Sequence, residues 1–153
     1  MSEEESKDVF ESEPKNEENE GNLNERRGTF VGTAFYVSPE MLKDNLALPA
    51  SDLWALGCII FKMLTGDVPF NGATDYKTFQ MILERDLKFP DDISEHARDL
   101  IDKLLQKEPH QRLGSGPQHS DNDFSALKNH PFFDGINFET LNSQEILLTT
   151  KPE

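Results

Sequence analysis

Residues 30–70 read FVGTAFYVSPEMLKDNLALPASDLWALGCIIFKMLTGDVPF, and two different features lie side by side in this stretch. The first, GTAFYVSPE, is polar, prone to turns and ends in a Pro-Glu pair. The second runs from Pro49 to Thr65, is almost wholly apolar and carries one acid, Asp52, near its start. A loop held by a rigid element often carries function, because the scaffold fixes the loop in place. We therefore expect the fold to be organised around this apolar segment.

The apolar segment predicts a long buried helix over residues 51–65. Ser51 is a plausible N-cap, Asp52 complements the positive end of the helix dipole, and Gly66 supplies a C-terminal stop. Large apolar side chains cover nearly every face of this helix, so we expect protein to surround it on all sides. Those side chains are Leu53, Trp54, Leu56, Ile59, Ile60, Phe61, Met63 and Leu64.

Shorter helical patterns lie on both sides of the long helix. The predicted elements are a short helix starting at Pro39 with Ser38 as N-cap, a helix over Asp75–Glu84, a helix capped by Ser94 and ended by Pro109, and a short helix from Asp123 to His130. Beyond them, Phe132, Phe133 and Phe138 are predicted to anchor an irregular tail. The predicted fold class is therefore mostly α.

The charge of the chain is concentrated at its start. The 153 residues carry a net charge of −14, and residues 1–25 hold ten acids against two lysines, which accounts for −8 of it. This segment has almost no large apolar residues, so we expect it to be disordered. The alternative is an acidic interaction tail. The chain has no basic footprint for nucleic acid, so polynucleotide binding is not expected.

Three further features limit the possible functions. Cys58 is the single cysteine and lies in an apolar run, which favours a packing role in a reducing compartment. The four histidines lack metal-ligand spacing, so no metal site is predicted. The apolar run 53–64 is interrupted by Lys62 and is too short for a bilayer, and the acidic N-terminus is unlike a signal peptide. These features predict a cytoplasmic location without a membrane segment.

Five motifs in a fixed order now give a specific resemblance. GTAFYVSPE resembles the end of a protein kinase activation segment, where that family usually has Ala-Pro-Glu, and SDLWALG matches the start of the central helix of the kinase large lobe. DVPF, the HQRLG run around Arg112 and HPFF at residues 130–133 follow in the order of the family. The chain therefore resembles the second half of the large lobe, the C-terminal helical lobe, of a serine/threonine protein kinase.

Individual residues within these motifs narrow the resemblance to one group of kinases. HPFF points to the AGC group, and TFVGTAFYVSPE with SDLWALGCII is most similar to the phosphoinositide-dependent kinases of that group. The resemblance implies the end of an activation segment with a substrate loop over residues 26–40. It implies the helical part of the large lobe over residues 41–133 and a C-terminal tail over residues 134–153.

The resemblance also implies roles for individual residues. Thr29 lies where the group is phosphorylated in its activation loop, although on sequence alone it would be an ordinary loop threonine. A floor beneath the substrate residue that follows the phosphoacceptor is implied for Gly32, Thr33, Tyr36, Val37, Ser38 and Pro39. A threonine at position 33 favours Ser/Thr substrates.

Three charged residues are implied to hold this region together. Glu40 and Arg112 would form a buried ion pair that ties the activation segment to the helical core, whereas without the resemblance each would be a solvated charge. Asp52 would hold the backbone of the catalytic loop, a role compatible with helix capping. Packing rather than chemistry is expected for Trp54, Gly57, Phe70, Phe132 and Phe133.

Other kinase motifs do not occur in the sequence. Phosphoryl transfer needs a glycine-rich loop, a strand lysine, a His-Arg-Asp catalytic loop with its asparagine, and an Asp-Phe-Gly metal ligand. None of these is present, so no catalytic residue is assigned, and the chain alone is expected neither to bind ATP and Mg²⁺ nor to transfer phosphate. A full-length family enzyme would use both, on protein substrates such as other kinases.

Two hypotheses follow from the missing motifs. The favoured one is a fragment of an active kinase whose sequence starts inside the activation loop. The alternative is a non-catalytic binding or scaffold module derived from a kinase lobe.

Overall fold

The computed structural model describes residues 34–141, and these residues fold into helices and turns without a strand. The helices are α1 (Pro39–Asp44), α2 (Pro49–Thr65), α3 (Asp75–Glu84), α4 (Glu95–Leu104) and α5 (Phe124–Lys128), with single 3₁₀ turns at Ala34–Tyr36, Pro109–Gln111 and Pro131–Phe133. The mostly helical fold class predicted from the sequence is confirmed. The predicted disordered segment 1–25, the residues Thr29, Gly32 and Thr33, and the tail from residue 142 lie outside the described residues.

The long helix α2 begins earlier than the sequence predicts. It starts at Pro49, the N-cap position is Leu48, and Ser51 lies inside the first turn, so the prediction of Ser51 as N-cap is wrong. Proline favours the first helical position because its fixed φ suits the helix and its missing N–H costs nothing there. Gly66 ends the helix as predicted, with a φ of 84° that suits glycine.

One side of α2 forms the centre of the core. Trp54 and Cys58 are fully buried, and Trp54 stacks on Phe70 with ring centroids 5.5 Å apart. A Cβ on Gly57 would lie 2.9 Å from a methyl carbon of Leu105, so the glycine allows α2 and the end of α4 to approach closely. Burial raises the pKa of the Cys58 thiol to about 12, which agrees with a packing role.

The opposite side of α2 is not covered by the described residues. Ile59 is 45 % exposed and Met63 is 78 % exposed, while Leu56 is only half-buried. Residues 34–141 therefore cover only one side of the helix, and the expectation that protein surrounds it on all sides stays a prediction. This face carries apolar side chains, but none of helices α1 and α3–α5 packs fully against it.

Helix α4 ends before the predicted stop. Ser94 caps its start by accepting the N–H of Ala97 at 3.2 Å, but the helix ends at Leu104 rather than at Pro109. The Arg85 guanidinium donates to the main-chain oxygens of Asp102 and Leu105, and so satisfies carbonyls at the end of the helix. A side chain that is distant in sequence therefore supports the early stop.

Helix α5 and the segment after it also differ from the prediction in extent. Asp123 caps α5 by accepting the N–H of Ala126 at 2.8 Å, as predicted, but the helix ends at Lys128 instead of His130. His130 begins a new turn, because its Nδ1 accepts the N–H of Phe132 at 3.2 Å. Phe133 then packs edge-on against Phe132 and Phe138, with centroids 5.1 and 5.4 Å apart.

Candidate functional site

The candidate site is the segment from residue 34 to Glu40 together with the start of α2 and the turn after α4. Tyr36 belongs to a 3₁₀ turn that packs against α2 and α3, and it is half-buried. Val37, Ser38 and Pro39 follow as buried residues, and Pro39 occupies the first position of α1. Ser38 occupies the N-cap position as predicted, but its side chain makes no cap hydrogen bond. The segment is thus fixed by packing rather than by capping.

The ion pair between Glu40 and Arg112 is present in the structure. The two guanidinium NH2 groups of Arg112 donate separately to the two carboxylate oxygens, at 2.8 Å to Oε1 and 2.6 Å to Oε2. Arg112 is fully buried and Glu40 is 6 % exposed. Two parallel hydrogen bonds fix the orientation of both groups as well as their distance.

The remaining donors of Arg112 also have partners. They donate to the main-chain oxygens of Ala50 at 2.7 Å, Gln106 at 2.9 Å and Lys107 at 3.3 Å. The guanidinium carbon lies 5.3 Å from the ring centroid of Trp54. A buried charge is tolerated only when it is paired and hydrogen-bonded, and Arg112 meets both conditions. It joins α1, the start of α2 and the chain after α4 at one point.

Ser51 completes this network, although the sequence analysis assigned it only a capping role. Its hydroxyl donates to Glu40 Oε1 at 2.7 Å and accepts the N–H of Leu48 at 3.0 Å. Burial alone would raise the pKa of Glu40, but the hydrogen bonds from Arg112 and Ser51 outweigh it and lower that pKa to about 2. The available signal was a serine at the start of a helix that is mostly apolar, because a buried hydroxyl needs a polar partner.

Asp52 lies apart from this network. It is exposed in the first turn of α2 and borders a largely apolar depression of about 550 Å³, which Leu48, Leu53 and Phe124 also line. Its predicted role is to hold a catalytic loop, and this stays a prediction because the sequence has no such loop. The residues around this depression could contact apolar side chains.

A contact between Tyr36 and Lys62 was not predicted. The Lys62 ammonium donates to the Tyr36 hydroxyl at 3.4 Å across the surface, joining the candidate substrate segment to the far end of α2. The sequence offered no signal for this pair because the two residues are 26 positions apart.

Within residues 34–141 no three His, Cys, Asp or Glu side chains come together to form a candidate metal site. This part of the chain also contains no helix with the length and apolarity to cross a membrane.

Comparison with known proteins identifies the family of this chain. A family model described as the protein kinase domain matches residues 15–133. A 3-phosphoinositide-dependent protein kinase 1 of Arabidopsis thaliana is 51 % identical over 116 residues, which cover 76 % of this chain and 23 % of that protein. The human protein of the same name is 43 % identical over 119 residues, covering 78 % of this chain and 21 % of that protein.

A third relative has a similar sequence identity but is a much longer protein. A serine/threonine-protein kinase PDK1 of Cryptococcus neoformans is 46 % identical over 116 residues, covering 76 % of this chain and 9 % of that protein. The chain spans less than a quarter of the length of each of these three relatives. The matched range contains the Glu40–Arg112 pair, α2 and the HPFF turn, and this chain belongs to the protein kinase domain family, among the serine/threonine kinases related to 3-phosphoinositide-dependent protein kinase 1.

Proposed function

We propose that the chain forms the substrate-side half of the large lobe of a kinase that transfers phosphate from ATP to Ser or Thr of protein substrates. The observation that carries this proposal is the fully buried, bidentate pair of Glu40 and Arg112. It ties the end of the segment 34–40 to the start of α2 and to the chain after α4, and a surface that binds substrate needs such support to keep its geometry.

Within this proposal each site residue has a role. Tyr36, Val37, Ser38 and Pro39 form the floor under the substrate residue after the phosphoacceptor, and Gly32 and Thr33 begin it. Thr29 is a phosphorylation site, because an added phosphate could order the preceding segment through basic side chains. Asp52 positions the backbone of a catalytic loop from the rest of the lobe. Packing of segment 34–40 on α2 and α3 supports the first of these roles.

ATP and Mg²⁺ would be held by residues outside this sequence. The described residues do not fit these groups, because they contain no cluster of ligands for a metal and the depression beside Asp52 is mainly apolar. The printed sequence also has no glycine-rich loop, His-Arg-Asp or Asp-Phe-Gly motif. We therefore propose that the 153-residue chain is catalytically incomplete. Its substrates would be proteins, among them other kinases, and its location would be cytoplasmic.

A chimera tests the proposal directly. The 116-residue region of the Arabidopsis relative that matches this chain is replaced by the matching residues of this chain. The chimera should phosphorylate a kinase activation-loop peptide in the presence of Mg²⁺ and ATP, whereas the 153-residue chain alone should not. Arg112→Met in the chimera should abolish activity, and Lys107→Met, which removes only an exposed side chain, should retain it. A well-folded chimera without activity would contradict the proposed role.

A binding module is the second candidate, and the exposed apolar side chains of α2 favour it. A contiguous exposed apolar patch often marks a contact surface, and Ile59 and Met63 lie one helical turn apart on the same face. This candidate predicts that the isolated chain unfolds cooperatively in urea and binds a protein-kinase fragment in sedimentation experiments. Met63→Lys should weaken that binding while Lys43→Met does not. A chain that binds the fluorescent dye ANS and unfolds without cooperativity would contradict it.

A further inference from the structure

The loop between α2 and α3 contains the only Asn-Gly pair in the 153 residues, Asn71-Gly72. Asn71 is exposed to solvent. The residue before it, Phe70, is fully buried and stacks on Trp54, so the pair lies where the core ends and the surface begins. A chemical change at Asn71-Gly72 would therefore affect both the core around Phe70 and the start of α3.

An asparagine followed by glycine can lose its amide without an enzyme. The main-chain nitrogen of Gly72 gives up its proton and attacks Cγ of Asn71, a C–N bond forms, and ammonia leaves with the side-chain nitrogen. Water then opens the cyclic imide at one of its two carbonyls, giving aspartate or an isoaspartyl linkage. Glycine favours the attack because no Cβ shields its nitrogen or restricts its φ and ψ angles. Asparagine is accordingly among the thermolabile residues.

The structure holds the attacking nitrogen away from this reaction. The N–H of Gly72 donates to Thr78 Oγ1 at 3.0 Å, and the same hydroxyl donates to the main-chain oxygen of Thr74 at 3.2 Å. Thr78 is 1 % exposed, so water does not readily replace it as the acceptor. A Cβ built on Gly72 would lie 2.5 Å from both the Cβ of Lys77 and the nitrogen of Thr78, so the glycine packs tightly against the first turn of α3.

We propose that Asn71 is a site of spontaneous deamidation and that the hydrogen bond from Gly72 to Thr78 sets its rate. The nitrogen must leave the hydroxyl before it can attack, so deamidation follows the local opening of the start of α3. The isoaspartyl product lengthens the main chain by one carbon between Phe70 and Gly72. This extra length displaces Gly72 from Thr78, and the product therefore cannot restore the original contact.

The experiment incubates the full chain at mildly alkaline pH and follows the tryptic peptide that contains Asn71 by mass spectrometry, with isoaspartyl methylation as a second readout. Thr78→Val removes the acceptor while keeping the shape, and deamidation should become about 2- to 10-fold faster, the change expected when one net hydrogen bond is lost. The matched control Thr78→Ser keeps the hydroxyl and should react at the wild-type rate. Asn71→Gln should abolish the product at this position.

Two outcomes would overturn the proposal. If Asn71 stays intact in chain unfolded by urea, the pair is not a deamidation site. If Thr78→Val and Thr78→Ser react alike, the hydrogen bond does not set the rate. Should Thr78→Val fail to fold, the wild-type chain is examined at urea concentrations below its unfolding transition. There the deamidation rate and the hydrogen-exchange rate of the Gly72 amide should rise together, and a deamidation rate independent of exchange would contradict the proposal.

Discussion

Two ion pairs in this molecule have the same N···O distance of 2.6 Å and lie in very different surroundings. Glu40 and Arg112 are 6 % and 0 % exposed, whereas Asp99 and Lys103 on the surface of α4 are 47 % and 50 % exposed. Solvent screens the second pair and also hydrates each partner when the two move apart. The distance alone therefore says little about how much each pair matters.

The two ion pairs differ in the state of the charge that remains when one partner is removed. An exposed Asp99 without Lys103 stays hydrated, but Glu40 without Arg112 stays buried as an uncompensated charge. The Arg112 guanidinium also donates to three main-chain oxygens, while the Lys103 ammonium donates to Asp99 alone among the described residues. The buried pair is thus a joint between three segments, and both members of the exposed pair lie on a single helix.

The largest expected effect is from Arg112→Met. This change should lower the free energy of unfolding by about 3–5 kcal/mol, because it leaves the Glu40 carboxylate buried and unpaired. Urea unfolding followed by circular dichroism measures the loss. The double variant Glu40→Gln with Arg112→Met should recover part of it, since no buried charge remains. A loss below 1 kcal/mol in the single variant would mean that solvent reaches Glu40.

The next effect is the response to acid. The pKa of Glu40 is lowered from 4.5 to about 2 in the folded chain, so its contribution to stability is fully present above pH 4.5 and is lost as the pH falls towards 2. Unfolding midpoints measured across this range should fall for the wild type. Glu40→Gln has no carboxylate to protonate, so its midpoints should fall less steeply. Equal slopes for the two proteins would contradict the buried geometry.

Asp99 serves as the exposed control for the acid dependence of the unfolding midpoint. The hydrogen bond from Lys103 lowers the pKa of Asp99, and one from His130 acts in the same direction. The sign of its contribution is therefore the same as for Glu40, with stability lost in acid, but solvent screening makes it small. Asp99→Asn should leave the acid dependence of the wild type almost unchanged.

The sequence predicted the features that depend on neighbouring residues or on motifs shared with the family. Glu40 and Arg112 are 72 positions apart, and only the motifs around them suggested that they meet. The caps by Ser94 and Asp123 were predictable because a capping side chain bonds to amides three residues away. The early end of α4 was not, and the side chain of Arg85 that supports it reaches Leu105 across 20 positions.

The role of Ser51 was also missed because it depends on a residue that is distant in sequence. Its position before an apolar run suggested a cap, but the fixed φ of Pro49 had already placed the helix start, which freed the Ser51 hydroxyl for Glu40. The periodicity of α2 does not say which of its faces is exposed, because an apolar face has the same pattern whether or not another element covers it. Local pattern gives the type of element, and its partners depend on contacts distant in sequence.

Ser51→Ala gives an intermediate effect. It removes the hydrogen bond to the Glu40 carboxylate, of a kind that typically contributes about 1.5–3 kcal/mol, and the one accepted from the N–H of Leu48, while the two bonds from Arg112 to Glu40 remain. The free energy of unfolding should fall by less than in Arg112→Met, and the pKa of Glu40 should rise. Ser125→Ala, on the exposed surface of α5, is the matched control and should change neither quantity. A Ser51→Ala protein as stable as the wild type would show that Arg112 alone supports the carboxylate.

The smallest expected effect completes the comparison. Lys103→Met removes the exposed pair on α4 and should change the free energy of unfolding by less than about 1 kcal/mol, because Asp99 regains water and keeps its contact with His130. The change should shrink further at high salt, where exposed charges are screened. The loss from Arg112→Met should persist at high salt, because ions do not reach a fully buried group. If both variants responded alike to salt, the two pairs would share the same surroundings, and burial could not explain their difference.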